Sequence, residues 1–298
     1  LRSLVNKYQP DLIHSQGIRA DVLSSGLKYT VSKIATIRNF PQIDFPMTYG
    51  RFVGAWMVWR QTRALKKLDL TVAVSKAVKL NLKTKLNLAN ISVVQNGVDT
   101  TIYHAIEEEK KMELRKKLGF HPESILWIAS GHLSERKDPL FLINLWHRVR
   151  VFNRDNVLVL IGDGMLETEC INLASELEGV KVLGRVKNVN EYLMASDFYV
   201  SSSVAEGLPN AALEAIACGL PVLLSNIEPH KEIFKIDTNI GEIFELGDKM
   251  SFLRSLELLL DSNYEARRKA SINLVESDLD AAKMSQKYQV IYNQLICG

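Results

Sequence analysis

The chain has no run of 18 or more apolar residues, so it offers no helix long enough to cross a bilayer. Cysteine is scarce. Cys170, Cys218 and Cys297 are odd in number, lie far apart and match no metal or disulfide spacing. A reducing cytoplasm is therefore the expected compartment. There is no internal repeat, no low-complexity tract and no leader pattern at the start. No recognised nucleic-acid module stands out, so nucleic acid is not an expected partner.

What is present is ordinary in bulk: 298 residues, 47% hydrophobic and 24% charged. Those values fit a soluble globular protein of two domains. The chain opens on Leu1, in the middle of a helical pattern, which predicts a preceding N-terminal segment. The net charge of +3 hides an asymmetry. Residues 1–100 carry 15 Lys/Arg against 5 Asp/Glu, while the remainder carries 22 against 29. A basic half joined to an acidic half points to an anionic partner at one end, either a membrane surface or a phosphorylated acceptor.

Short apolar runs alternate with helical patterns nearly throughout. Strands are expected at 11–15, 33–38, 70–75, 91–96, 125–130, 157–162, 180–184, 197–203, 221–226 and 241–245. Runs this apolar, without alternation, suit parallel sheets covered on both faces, so the chain reads as α/β. A charged helix at about 107–118, closed by Gly119, marks either a domain junction or a surface helix of one domain. The pattern is helical from about 249 to the end.

The stretch "SSSVAEGLPNAALEAIACGLPVLLSN" (201–226) follows an expected strand end, where open α/β sheets take their ligands. In its Gly207-Leu208-Pro209 step, Gly207 allows close backbone approach and Pro209 suits a first helical turn. The N–H groups of Asn210, Ala211 and Ala212 would then face an anion. Glu206 and Glu214 flank this place. Either they hold sugar hydroxyls on the two sides of a diphosphate, or Glu206 caps the helix and Glu214 is a solvated face residue.

This stretch resembles the signature of the retaining glycosyltransferases of family 4. "VVQNGVDTTIY", "ASGHLSERKDPLFLI", "VLIGDGMLE", "VKVLGRVKNVNEYLMASD" and "SNIEPHKEI" follow the same family in the same order, over nearly all of residues 10–295. The resemblance implies a GT-B fold: two Rossmann-like parallel-sheet domains facing a cleft, the first incomplete here. It implies an acceptor-side domain over 1–100, a linker and helix over 101–120, a donor domain over 121–275, and a C-terminal helix at 276–298 returning to the first domain. The donor would be a nucleotide sugar, with no cofactor and no metal.

Within that family reading, Gly131 and Lys137 match the phosphate loop. His132 stands where arginine is common, and Arg136 can compensate with its planar fork. Gly162 is read as a strand-end turn facing the cleft, since "GDG" lacks the spacing of a dinucleotide fingerprint. Arg185 and Val186 would lie along the nucleotide base, or else form an ordinary turn. Glu206, Lys137, Arg136 and His14 are the expected catalytic group, with Glu214 on the ribose. His14 ends a strand, and Gln16 occupies the slot where the family often has a second histidine. Gln16, Arg38, Asn39 and Ser75 are expected on the acceptor side. Asn96-Gly97 reads as a turn that shapes the hinge.

The segment 45–68 reads as one aromatic and basic helix. It suits either an anionic membrane surface, reached through the basic residues of 51–85, or the core with a solvated basic end. The function expected is transfer of a hexose or N-acetylhexosamine from a UDP-sugar to a glycan or lipid-linked acceptor in cell-surface polysaccharide synthesis. The place expected is the cytoplasm, peripheral on the inner membrane face. The alternatives are a sugar-nucleotide 2-epimerase of the same fold, or a non-catalytic partner.

Overall fold

The computed structural model describes residues 1–297. Two compact units form. The first comprises Leu1–Asn96, Ala205–Leu208 and the stretch from Ala282 onward. Its sheet has four parallel strands in the order β1 (Leu12–Gln16), β2 (Ser32–Ile37), β3 (Leu70–Ala73) and β4 (Ile91–Val93). β3 is buried along its whole length and β2 over its last four residues, as their apolar runs require. The helices interleaved with the sheet are α1 (Arg2–Tyr8), α2 (Ile18–Ser25), α3 (Pro41–Tyr49), α4 (Arg51–Leu65) and α5 (Lys76–Lys85).

The single helix expected over 45–68 is two helices. Gly50 breaks it with φ +81°, a conformation that side chains disfavour, and α4 starts anew at Arg51. The two then fold together. A Cβ on Gly54 would overlap the backbone of Phe45 and Pro46, so only glycine lets α4 cross α3 this closely.

The second unit comprises Gly97–Val204 and Pro209–Ala281. It thus takes in the charged segment 101–120, whose helix is α6 (Glu108–Lys117). The other strands are β5 (Ile125–Ser130), β6 (Asn156–Ile161), β7 (Val180–Val182), β8 (Phe198–Ser201), β9 (Val222–Ser225) and β10 (Gly241–Phe244). The helices are α7 (Pro139–Phe152), α8 (Glu167–Ser175), α9 (Val189–Ala195), α10 (Asn210–Ala217), α11 (Glu228–Phe234), α12 (Lys249–Leu260) and α13 (Tyr264–Leu274). All six strands are parallel, in the order β10-β9-β8-β5-β6-β7. That is the doubly wound order, and its direction reverses between β5 and β8.

Trp127, Trp146, Phe198, Phe244 and Phe252 centre the core of this unit. Trp127 stacks on Phe198 with ring centroids 4.4 Å apart. Each such side chain contributes roughly 1.5–3 kcal/mol by leaving water.

The last helix, α14 (Ala281–Cys297), lies on the first sheet. Ile291 joins Ile34, Leu70, Val72 and Val94, with Met284, Tyr288 and Tyr292 packed around them.

Candidate functional site

Because the sheet order of the second unit reverses between β5 and β8, the loops leaving those strands diverge and open a crevice at their carboxyl ends. The loop after β5 begins at Gly131, with φ +140°. A Cβ there would sit 3.0 Å from Cε of Lys137, so the lysine side chain lies across the glycine. The loop is pinned by the chain that continues from β8. The Ser202 hydroxyl donates to the carbonyls of Lys137 (3.1 Å) and Asp138 (2.7 Å), and the Val204 N–H donates to Arg136 O (2.8 Å). Asp138 then caps α7 by accepting the Phe141 N–H at 3.3 Å.

Neighbouring loops are stitched to this one through glycine. The Gly131 N–H donates to Ile161 O and the Gly162 N–H to Gly184 O, both at 2.9 Å. A Cβ on Gly162 would overlap the Gly131 carbonyl. Between these turns Asp163 lies 3.7 Å from His132 Nδ1 and 3.9 Å from the Arg185 guanidinium. Val186 follows, half-buried.

Opposite the lysine lies α10. Its N-cap is Pro209, one residue earlier than the expected first-turn position, because the proline keeps an extended ψ of 100°. The first helical bond runs from the Leu213 N–H to Pro209 O, so helix geometry leaves the amides of Asn210, Ala211 and Ala212 outside the internal ladder. The N-cap residue, Pro209, offers no side-chain acceptor to this end.

Glu214, one turn in, is half-buried. Burial pushes its carboxyl above the usual range, and the positive charge of Lys137 offsets part of that shift. Tyr103 is raised by burial and by Glu214 in turn, and the Cys218 thiol is pushed up to about 12 by burial and by Glu214. A cation, a carboxylate and outward amides thus share one poorly solvated place, where electrostatic interactions are stronger than in water.

The segment 205–208 belongs to the first unit. A Cβ on Gly207 would overlap the Arg38 carbonyl and come within 3.1 Å of the Asn39 nitrogen. Gly207 thus makes its close backbone approach in this structure to Arg38. The Ser75 hydroxyl donates to Gly207 O at 2.8 Å and accepts the Val78 N–H at 3.0 Å. Asn96 Nδ2 donates to Leu208 O at 3.0 Å. Glu206 is 7% exposed. Arg38, Asn39, Ser75, Glu206, Gly207 and Leu208 are therefore neighbours.

His14 packs against α14. Its Nδ1 shares a hydrogen bond with the Tyr292 hydroxyl and its Nε2 with Thr36 Oγ1, each at 2.8 Å. With both nitrogens engaged and burial lowering its pKa, His14 holds α14 to the sheet in this arrangement. Gln16, exposed at the end of β1, borders a groove instead.

Two residues were not singled out from sequence. Asp163 carried a signal, an acid between two glycines, that reads as a plain turn. Tyr103 carried none, because its proximity to Glu214 arises only on folding.

Two parallel α/β sheets with this strand-end loop set define a GT-B protein. Residues 110–274 match the family model "Glycosyl transferases group 1", and residues 1–102 match "Glycosyltransferase Family 4". The chain belongs to this family and is a glycosyltransferase. It is 26% identical to UDP-Gal:alpha-D-GlcNAc-diphosphoundecaprenol alpha-1,3-galactosyltransferase of Escherichia coli, over 99% of this chain and 78% of that protein. It is also 26% identical to the O-antigen biosynthesis glycosyltransferase WclY of Escherichia coli, over 96% of this chain and 79% of the relative. Among solved structures, Anabaena Alr3699/HepE in complex with UDP superposes with a TM-score of 0.81 at 16% identity, covering 98% of this chain and 81% of that one.

Proposed function

We propose that this glycosyltransferase moves a hexose or N-acetylhexosamine, with retention, from a UDP-sugar to a glycan or lipid-linked acceptor in cell-surface polysaccharide synthesis. The observation that carries the reading is the meeting of Gly131, Lys137, the α10 amides and Glu214 at the β5/β8 switch point. Diphosphate is a good leaving group only when its growing charge is met. Lys137, Arg136 and the amides of Asn210 and Ala211 are assigned that task, so that protein charges rather than a metal ion carry it. Glu214 accepts the ribose hydroxyls, and Glu206 positions the donor sugar. Asp163 holds His132 and Arg185 at the edge of the phosphate and base places.

In the transfer step the bond from the anomeric carbon to the diphosphate oxygen breaks. The acceptor oxygen forms its bond on the same face, and its proton passes to the departing diphosphate oxygen. No pair of carboxylates is required. The two Escherichia coli relatives, one using UDP-galactose and the other serving O-antigen biosynthesis, support the donor and the setting. Work at the inner membrane face, through the basic residues of 51–85, belongs to the same proposal.

Calorimetric titration of UDP and GDP tests the site. UDP is expected to bind better, and Glu214→Ala and Lys137→Ala each to weaken it by ~1–3 kcal/mol, the range for a charge-assisted contact. Full affinity in both variants would remove the assignment. Chelator is expected to leave turnover unchanged.

A further inference from the structure

A buried histidine of the second unit has no part in that chemistry. His230, the third residue of α11, is 0% exposed and so is shielded from the crevice. Its Nδ1 lies 2.8 Å from the carbonyl oxygen of Ser225, the last residue of β9. A carbonyl only accepts, so Nδ1 carries a hydrogen and donates it. The Ser225 hydroxyl lies 3.2 Å from the same nitrogen and gives its own proton to Ser203 O at 2.6 Å. The hydroxyl oxygen therefore takes a share of the Nδ1 hydrogen. Ser203 and Ser225 are fully buried as well.

This line of donors leads to the loop that carries Lys137. A trans peptide is planar, with its C=O and N–H pointing in opposite directions. The plane joining Ser203 to Val204 is held at both edges. Its oxygen accepts from Ser225, and its N–H donates to Arg136 O at 2.8 Å. The plane joining Arg136 to Lys137 is held in the same way: its oxygen accepts from Val204, and its N–H donates to Ser134 O at 2.9 Å. The donors thus run in one direction, from His230 to the backbone of Lys137. Aligned bonds of this kind polarise one another, and a buried setting strengthens them. Beside them the Ser202 hydroxyl grips Lys137 O and Asp138 O, so the loop has no slack relative to the chain leaving β8.

We infer that His230 is a positioning residue of the donor site: through Ser225 and the two linked peptide planes it sets where Lys137 stands. The inference rests on the donor reading above, in which Lys137 meets the diphosphate. A histidine that only anchored α11 to β9 would be served by the bond to Ser225 O alone. The second contact, to a hydroxyl that crosses to the chain leaving β8, couples the helix to the loop. Loss of the imidazole frees the Ser225 hydroxyl to turn away from Ser203 O, and both planes then tilt. A charged contact to a ligand depends on such placement, because its geometry is fixed before the ligand arrives.

The test titrates UDP into the full chain by calorimetry, with thermal melting to show that each variant is folded. His230→Leu fills a similar space without donating and is expected to weaken UDP roughly three- to tenfold, the scale of one net hydrogen bond. His230→Asn places an amide N–H near the position of Nδ1 and is expected to restore most of that affinity. His230→Gln, whose amide falls near Nε2 instead, is expected not to. In a Lys137→Ala background, His230→Leu is expected to change UDP affinity by less than about twofold, because the side chain it positions is gone. Ser225→Ala removes a single buried hydroxyl and serves if a histidine variant fails to fold; it is expected to weaken UDP in the same direction. UDP affinity at the wild-type value in both His230→Leu and Ser225→Ala overturns the inference. So does an effect of His230→Leu that adds in full to that of Lys137→Ala, or a His230→Asn no better than His230→Leu. If Lys137→Ala itself binds UDP as the wild type does, the donor reading falls and takes this inference with it. If Lys137→Ala weakens UDP while the His230 and Ser225 variants do not, this inference alone falls.

Discussion

Glu214 is held where its own charge is disfavoured: burial raises its pKa from the ordinary 4.5 more than Lys137 lowers it. The folded state therefore holds the proton more tightly than the unfolded chain between those two values. Stability conferred by the protonated group is full below the unfolded pKa and is lost as pH rises through the folded one. Glu214→Gln removes the ionisable proton while keeping the shape. The melting temperature of this variant, relative to wild type, is expected to climb as pH is raised from about 4.5 and then to level off. UDP affinity is expected to fall in the same variant. A melting difference that stays flat across pH would show that the carboxylate pays no such penalty. Gly207 sets a second constraint at this scale. Any side chain there collides with the Arg38 carbonyl, so Gly207→Ala is expected to reduce turnover by displacing Glu206, with UDP affinity retained.

Among elements, α6 shows how one side chain can seat a helix. Lys111 and Arg115 reach Asp197 at 2.6 and 2.5 Å, all three largely buried, and Asp197 also accepts the Leu126 N–H at 2.8 Å. Asp197→Ala takes the shared buried carboxylate from both cations, leaving Arg115 its backbone carbonyls and Lys111 the more distant Glu108, and is expected to cost ~3–5 kcal/mol, measured by denaturant unfolding. The conservative Asp197→Asn is expected to recover part of that loss through its remaining hydrogen bonds.

The sheet strands were legible because each is a short apolar run between turn residues. Ile125–Ser130 matches its expected bounds to the residue. Where the reading overran, as at 91–96 against Ile91–Val93, the backbone stays extended: the Val94 N–H still reaches Ala73 O after the ladder ends. The break at Gly50 was missed because a lone glycine inside a helical pattern is usually tolerated, and its φ is set by the crossing of α3 on α4. At the site, Gly131, Lys137 and Glu214 could be picked out from local patterns and the family likeness. The pairing of His14 with Tyr292 could not, because 278 residues separate them and nothing near either one announces the other.

At the scale of the whole molecule, the charge asymmetry becomes a prediction about location. The first hundred residues carry ten more positive than negative side chains, and the aromatic row of α4 lies among them. No helix of the described residues is long and apolar enough to cross a membrane, and the attachment predicted here is to a surface. Such attachment combines shallow aromatic insertion with attraction of basic residues to anionic head groups, and the second term is screened by salt. The protein is expected to partition onto phosphatidylglycerol vesicles at low ionic strength and to leave them as salt rises. The combined Arg60→Gln, Arg63→Gln and Lys67→Gln variant is expected to bind about tenfold or more weakly at low salt, at roughly 1 kcal/mol for each basic residue near the surface. Its dependence on salt should also be shallower. Phosphatidylcholine vesicles, which lack net charge, should retain little of either form. If the variant partitions like the wild type at every ionic strength, the basic face of α4 does not steer the protein to a membrane, and the excess positive charge of the first hundred residues must serve another anion.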